Sequence, residues 1–263
     1  MKKIKDIIKI MEDFAPKNLK EDFDNVGFMV GDKEKDVKKI LLALDCTLDV
    51  IEEAKEKDID LIITHHPLLF RKPSSITTET LTGKKIIELI KNDIGLYSSH
   101  TNLDSAEEGL NETIVNVLGF EEGILLEKNK NSRNNNEGLG RLVKLDESLI
   151  LEDLVDIVKE KLNVPFVKVV KGNDKVKNIA IINGSGSDFF SIAIGKGADC
   201  IITGDTTYHY ASDYKEMGVS IIDTGHFSSE WIVFQKVINK VKVSFAEVDI
   251  IISNRSEDPY IFL

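Results

Sequence analysis

The chain has 263 residues, of which 42% are hydrophobic and 30% charged, with a net charge of −11 and a pI near 5.1. That balance is ordinary for a soluble globular protein, and the length suits one large or two ordinary α/β domains. The acidity offers no general affinity for nucleic acid, and no run approaches the roughly 18 apolar residues of a membrane span.

The N-terminal MKKIKDIIKIMEDF is basic and amphipathic. It lacks an unbroken apolar core and a small-residue cleavage site, so a helix is predicted there and not a signal peptide. DNVGFMVGD (24–32) reads as a strand and turn that either edges a site or simply packs. The runs at 40–45, 60–65, 94–99, 179–184, 200–205 and 220–225 are short and rich in β-branched residues, as buried parallel strands are. Helical patterns at 48–57, 83–92, 109–119 and 228–241 lie among them. Strands alternating with helices imply parallel sheets, right-handed crossovers and functional residues beyond the carboxyl ends of the strands. The Asn-rich stretch 127–138 is read as a linker between a first α/β domain, 1–126, and a second, 139–263. GRLVKLDESL opens that second half as a strand, and EVDIIISN near the end is a strand that can return to the first domain. Cys46 and Cys200 stand far apart in apolar runs with no CxxC, which points to buried thiols in a reducing cytoplasm.

The chain repeats itself. Val37, Ile40, Asp60, Ile62, Ile63 and Thr64 each meet the same residue 139 positions later, within a gapless 30-residue match. The unit's tail recurs at a shifted offset, GLYSSHTNLD against GVSIIDTGHFSSE, pairing His100 with His226 and Asp104 with Glu230.

All five histidines fall after or within strand-like runs: His65 and His66, then His100 with Asp104, then Asp205 with His209, then His226 with Glu230. Imidazoles and carboxylates gathered at strand ends suggest a metal site with nitrogen and oxygen ligands. Before Pro67 the chain is extended, so His65 and His66 should point to opposite sides and hold two ions, one each. His226 and Glu230 share a helix face by their i,i+4 spacing, and that glutamate can bridge two metals. His100 and Asp104 have the same spacing and can add a carboxylate and an imidazole, as ligand or support. Mixed ligation of this kind suits zinc, iron, manganese or nickel better than magnesium, and paired metals suit hydrolysis. Asp205 aligns with His66 in the repeat, as a lost or exchanged ligand. His209 either handles protons or is structural. Gly184 to Ser187 forms a strand-to-helix turn, or less simply a phosphate cradle without a P-loop lysine.

FDNVGFMVG, ITHHPLLF, SSHTNLD, NGSGSDF, ITGDTTYHYA, DTGHFSSE and the terminal SNRSEDPYIFL closely resemble, in order, the signatures of the YbgI/YqfO-like dinuclear-metal-centre family. That family is also called NGG-interacting-factor-three-like, or GTP cyclohydrolase 1 type 2 homologues. The resemblance implies two similar, intertwined three-layer α/β/α domains related by internal duplication. It also implies a toroidal homohexamer with metal sites facing an internal cavity. By motif, His65 and Asp104 would hold one divalent metal, His66 and His226 the other, and Glu230 would bridge them with His100 beside. Glu230 and His100 are the candidate catalytic residues. Longer family members carry an extra domain in the middle, where this chain has only the Asn-rich stretch.

Two functions compete. One is a dinuclear metal-dependent hydrolase of a nucleotide-like or phosphorylated small molecule. The other is a non-catalytic metal-binding regulator or metal-handling protein. A ring threading nucleic acid is a third reading, which the acidic charge disfavours.

Overall fold

A computed structural model describes residues 1–261; Phe262 and Leu263, which close the SNRSEDPYIFL motif, lie outside the described residues. In chain order the elements are α1 (Ile4–Phe14), β1 (Gly27–Val30), β2 (Lys39–Ala43), α2 (Leu48–Glu56), β3 (Leu61–Thr64), α3 (Leu81–Lys91), β4 (Gly95–Ser98), α4 (Thr101–Ser105) and α5 (Leu110–Val117). There follow β5 (Ile124–Lys128), β6 (Gly138–Ile150), α6 (Leu151–Leu162), β7 (Lys168–Val170), β8 (Lys175–Ser185) and α7 (Phe190–Gly195). The chain continues through β9 (Cys200–Gly204), α8 (Tyr208–Glu216), β10 (Ser220–Asp223), α9 (His226–Phe245) and β11 (Asp249–Ile252). Among the described residues no helix is long and apolar enough to cross a membrane.

The fold is mixed α/β with two sheets, in two compact units: Met1–Leu103 with the chain from Phe234 onward, and Asp104–Val233. The first unit holds the sheet β1-β4-β3-β2-β11, in which β4, β3, β2 and β11 run parallel and β1 pairs antiparallel. The helix predicted at the N-terminus is α1, whose buried Ile4, Ile7, Ile8 and Met11 follow the 3.6-residue period. Leu41, Ile62 and Leu96 lie side by side across three strands and are fully buried. Each such side chain stabilises by about 1.5–3 kcal/mol relative to exposure.

The second unit holds the sheet β5-β6-β8-β9-β10-β7, with β8, β9 and β10 parallel and the flanking pairs antiparallel. Its own row is Ala180, Ile201 and Ile221, also fully buried.

The stretch 127–138 links no domains. Lys128 pairs with Gly138, so β5 and β6 form a hairpin within the second unit. Its asparagines serve as turn formers: Asn131 N–H donates to Asn129 Oδ1 at 2.9 Å and Asn136 N–H to Asn134 Oδ1 at 2.8 Å. The strand expected near the C-terminus is β11, parallel to β2.

Both cysteines are buried and unbridged. Burial pushes the Cys46 thiol up to about 12, and Cys200 also upward, so both stay protonated and unreactive.

Candidate metal centre

In the first unit, three adjacent parallel strands end at one level. Ala43 pairs with Thr64, and Thr64 with Ser98. The residues just beyond are therefore neighbours. Ser99 N–H donates to the Thr64 carbonyl at 3.0 Å and His66 N–H to the Leu44 carbonyl at 3.0 Å, fixing the two ends. Ligand atoms of His65, His66 and His100 lie within 4.8 Å of one another. His65 is fully buried and the other two partly so.

The two adjacent histidines do not point to opposite sides. Their ring centroids are 5.2 Å apart, because β3 ends at Thr64 and the alternation of extended chain ends with it. The rings of His65 and His100 are 5.1 Å apart, and Phe234 lies 5.6 Å from His65.

Two of these imidazoles are hydrogen-bonded at Nδ1 to an oxygen. His65 Nδ1 donates to the Ser99 carbonyl at 2.8 Å, and His66 Nδ1 to Asp45 Oδ1 at 2.9 Å. His100 Nδ1 is 3.0 Å from Asp24 Oδ1. Carbonyl and carboxylate oxygens only accept, so in His65 and His66 Nδ1 carries the proton and Nε2 keeps its lone pair. Metal-binding histidines are oriented in this way.

The second unit has its own strand-end cluster. His226 opens α9 with Nδ1 donating to Asp205 Oδ2 at 2.8 Å, and its Nε2 is 3.1 Å from Glu230 Oε2 one turn on. Asn183 Nδ2 is 2.9 Å from Asp104 Oδ1 and 3.5 Å from Glu230 Oε1. Asp104 and Glu230 are both buried. Gly184, at φ +60°, makes room for the glutamate: a Cβ there would stand 2.2 Å from Glu230 Oε1.

The structure thus groups His65, His66 and His100 in one unit; in the other, His226 meets Glu230, and Asp104 is linked to that glutamate only through Asn183. His209 is exposed on α8, its ring against Tyr208 at 5.6 Å. Asp205 is no vacant ligand position, since it orients His226. The phosphate-cradle reading of Gly184 to Ser187 gives way to a packed turn. Gly184 N–H donates to Ser229 Oγ at 3.1 Å and Gly186 N–H to Thr203 Oγ1 at 3.2 Å. Asp24, in the DNVG motif, edges the first cluster.

Sequence reasoning missed Asp45 and Asn183. A signal for Asp45 existed: it precedes His66 by 21 residues, as Asp205 precedes His226. Each carboxylate follows one strand and holds the imidazole that follows its parallel neighbour.

Asp24 also carries a stability prediction. Burial raises its pKa, but the hydrogen bond and charge of His100 and the hydrogen bonds from Thr101 outweigh burial and hold it at about 2, against 3.8 unperturbed. A depressed carboxylate stabilises the fold above its unfolded value, and the contribution fades as pH falls from about 4 to about 2. That shift corresponds to ~2 kcal/mol. Denaturant midpoints of wild type and Asp24→Asn should differ clearly at pH 7 and converge near pH 2. A gap unchanged with pH would refute it.

The protein family DUF34/NIF3 (NGG1p interacting factor 3) matches residues 2–259. A Clostridium perfringens protein named GTP cyclohydrolase 1 type 2 homolog is 56% identical over 99% of this chain and all of its own. A namesake from Clostridium acetobutylicum is 50% identical over 99% of this chain and 98% of its own. Among solved structures, the hypothetical protein SA1388 of Staphylococcus aureus superposes with a TM-score of 0.88 at 32% identity, over 99% of each chain. A two-sheet α/β fold carrying strand-end clusters of imidazole and carboxylate defines a candidate metalloprotein. The chain belongs to the DUF34/NIF3 family.

Proposed function

We propose that the protein is a dinuclear metal-dependent hydrolase of a nucleotide-like or phosphorylated small molecule. One observation carries the reading. His65, His66 and His226 each donate Nδ1–H to an oxygen at 2.8–2.9 Å, and His100 Nδ1 lies 3.0 Å from one, so that Nε2 is the nitrogen suited to a metal. Histidines kept for packing or solubility have no need of that common arrangement.

In this reading, as the family resemblance implies, His65 and Asp104 would hold one cation and His66 and His226 the other, with Glu230 serving both. Zinc, iron, manganese and nickel suit these donors. Paired cations of this kind supply Lewis acidity and an activated water. The chain's own part is to fix the donors. Asp45, Asp205 and the Ser99 carbonyl lock ring orientation and tautomer. Partly exposed His100, steadied by Asp24, can carry a proton at Nε2. The name borne by the Clostridium relatives fits a nucleotide substrate, of which ring opening of a purine is one form.

The proposal extends to assembly and origin. A cytoplasmic homohexamer is expected, with a solution mass six times the 29.4 kDa chain. Descent of both sheets from one duplicated unit is supported by the rows Leu41–Ile62–Leu96 and Ala180–Ile201–Ile221. In these rows the first two residues of each lie 139 positions apart.

The test is metal content per chain, purified without chelator, together with turnover of nucleotides and phosphoesters. Wild type should hold about two metals and His66→Ala about one, with turnover lost in His66→Ala and Glu230→Ala. Turnover retained in both variants would sink the hydrolase. Metal bound without any turnover would favour a metal-handling role.

A further inference from the structure

Asn183 stands near the end of β8, only 8% exposed, between the two carboxylates of the second unit. Its Nδ2 is 2.9 Å from Asp104 Oδ1 and 3.5 Å from Glu230 Oε1. An amide nitrogen carries two protons, whereas ionised carboxylates only accept. A lysine in this place would draw the carboxylates together but bring a charge that competes with a metal. A carboxylate would repel them. A neutral amide alone joins them while leaving their charge for a cation.

The backbone at this position is anchored on both sides. Asn183 N–H donates to Asn111 Oδ1 at 3.4 Å, and Asn111 Nδ2 donates to the Asp104 carbonyl at 3.2 Å. The next amide, Gly184 N–H, donates to Ser229 Oγ at 3.1 Å, on the turn of α9 that carries Glu230. Among the described residues, Asn183 Oδ1 is buried without a hydrogen-bond partner. An amide kept for packing alone would satisfy both of its ends. One placed for its nitrogen leaves the oxygen orphaned.

We infer that Asn183 is a positioning residue, whose amide sets the spacing of Asp104 and Glu230 for divalent cations. This rests on the metal centre proposed above. Asn183 acts through the two carboxylates.

The test is titration of the full-length, chelator-stripped protein with Co2+, following affinity and the visible d–d spectrum. Asn183→Leu and the smaller Asn183→Ser should each bind Co2+ about 10–100-fold more weakly. Their bands should shift in position or intensity, while the metal-free proteins melt close to wild type. The serine variant decides the matter if the leucine variant fails to fold. Wild-type affinity and spectrum in the variants, with binding lost in Asp104→Asn, would overturn this inference and leave the metal centre standing. Weaker binding explained by an equal fall in metal-free stability would also overturn it, as a structural role. A wild type that binds no Co2+ would overturn the metal centre and this inference with it.

Discussion

Gly184→Ala is expected to disable the proposed metal centre while leaving the fold nearly intact. The glycine sits at φ +60°, and the added Cβ would lie 2.2 Å from Glu230 Oε1 and 3.2 Å from its Cδ. No pair of atoms tolerates the shorter distance, so the carboxylate must leave its place. It is 3% exposed, and leaving breaks its contacts with His226 Nε2 at 3.1 Å and Asn183 Nδ2 at 3.5 Å. The left-handed backbone adds ~1–2 kcal/mol of strain for alanine. In a chain of this length that lowers the melting temperature by only a few degrees. Metal affinity should fall by about 10–100-fold, as when a ligand's support is removed. Shortening the neighbour should partly restore it, because Glu230→Asp withdraws the clashing oxygen by one methylene. Co2+ titration of the single and double variants measures both effects. A Gly184→Ala protein binding Co2+ as wild type does would refute the expectation.

The largest effect on stability is expected at Arg141, away from the candidate metal ligands. The side chain is 3% exposed, and its guanidinium works as a fork. Nη1 donates to the carbonyls of Gly138 and Gly140 at 3.1 and 3.0 Å, and Nη2 to that of Asn136 at 3.0 Å. Glu112 Oε2 stands 3.6 Å from Nη2. Arg141→Ala leaves these carbonyls without their donors and removes the partner of a carboxylate. Losses of this kind come to ~3–5 kcal/mol. Arg141→Lys should recover little, since one ammonium cannot reproduce the planar fork. Urea midpoints at fixed chain concentration decide it, and a lysine variant within ~0.5 kcal/mol of wild type would show that charge alone suffices.

Much of this fold was legible in the sequence because its parallel strands are buried. A strand with cover on both faces must be apolar throughout, so runs such as LIIT and CIITG announce themselves. The hairpin of β5 and β6 was hidden for the opposite reason. β5 shows one buried residue among exposed and half-exposed ones, and its turn is written in asparagines that read equally well as linker. The imidazoles of the candidate site stood out by their scarcity. Their supports stood out less, Asp24 only as part of a motif that edges a site, because Asp24, Asp45 and Asn183 meet their partners through strand-end neighbours 21 to 79 residues away. A common aspartate or asparagine at that distance leaves no periodic trace.

The β5–β6 hairpin holds its own two ends together. Its stem is closed by the pairing of Lys128 with Gly138, and Asn129 N–H donates to the Glu137 carbonyl at 3.0 Å. Whatever the tip contains, the two ends stay side by side. Lengthening a loop across a gap already closed adds only ~0.6 kcal/mol per doubling. None of His65, His66, His100, Asp104, His226 and Glu230 lies on either strand or in the turn. The tip is therefore a splice point, where a whole folding unit can be threaded into the gene without shifting a donor atom. The middle domain that the family resemblance assigns to longer members calls for such a place.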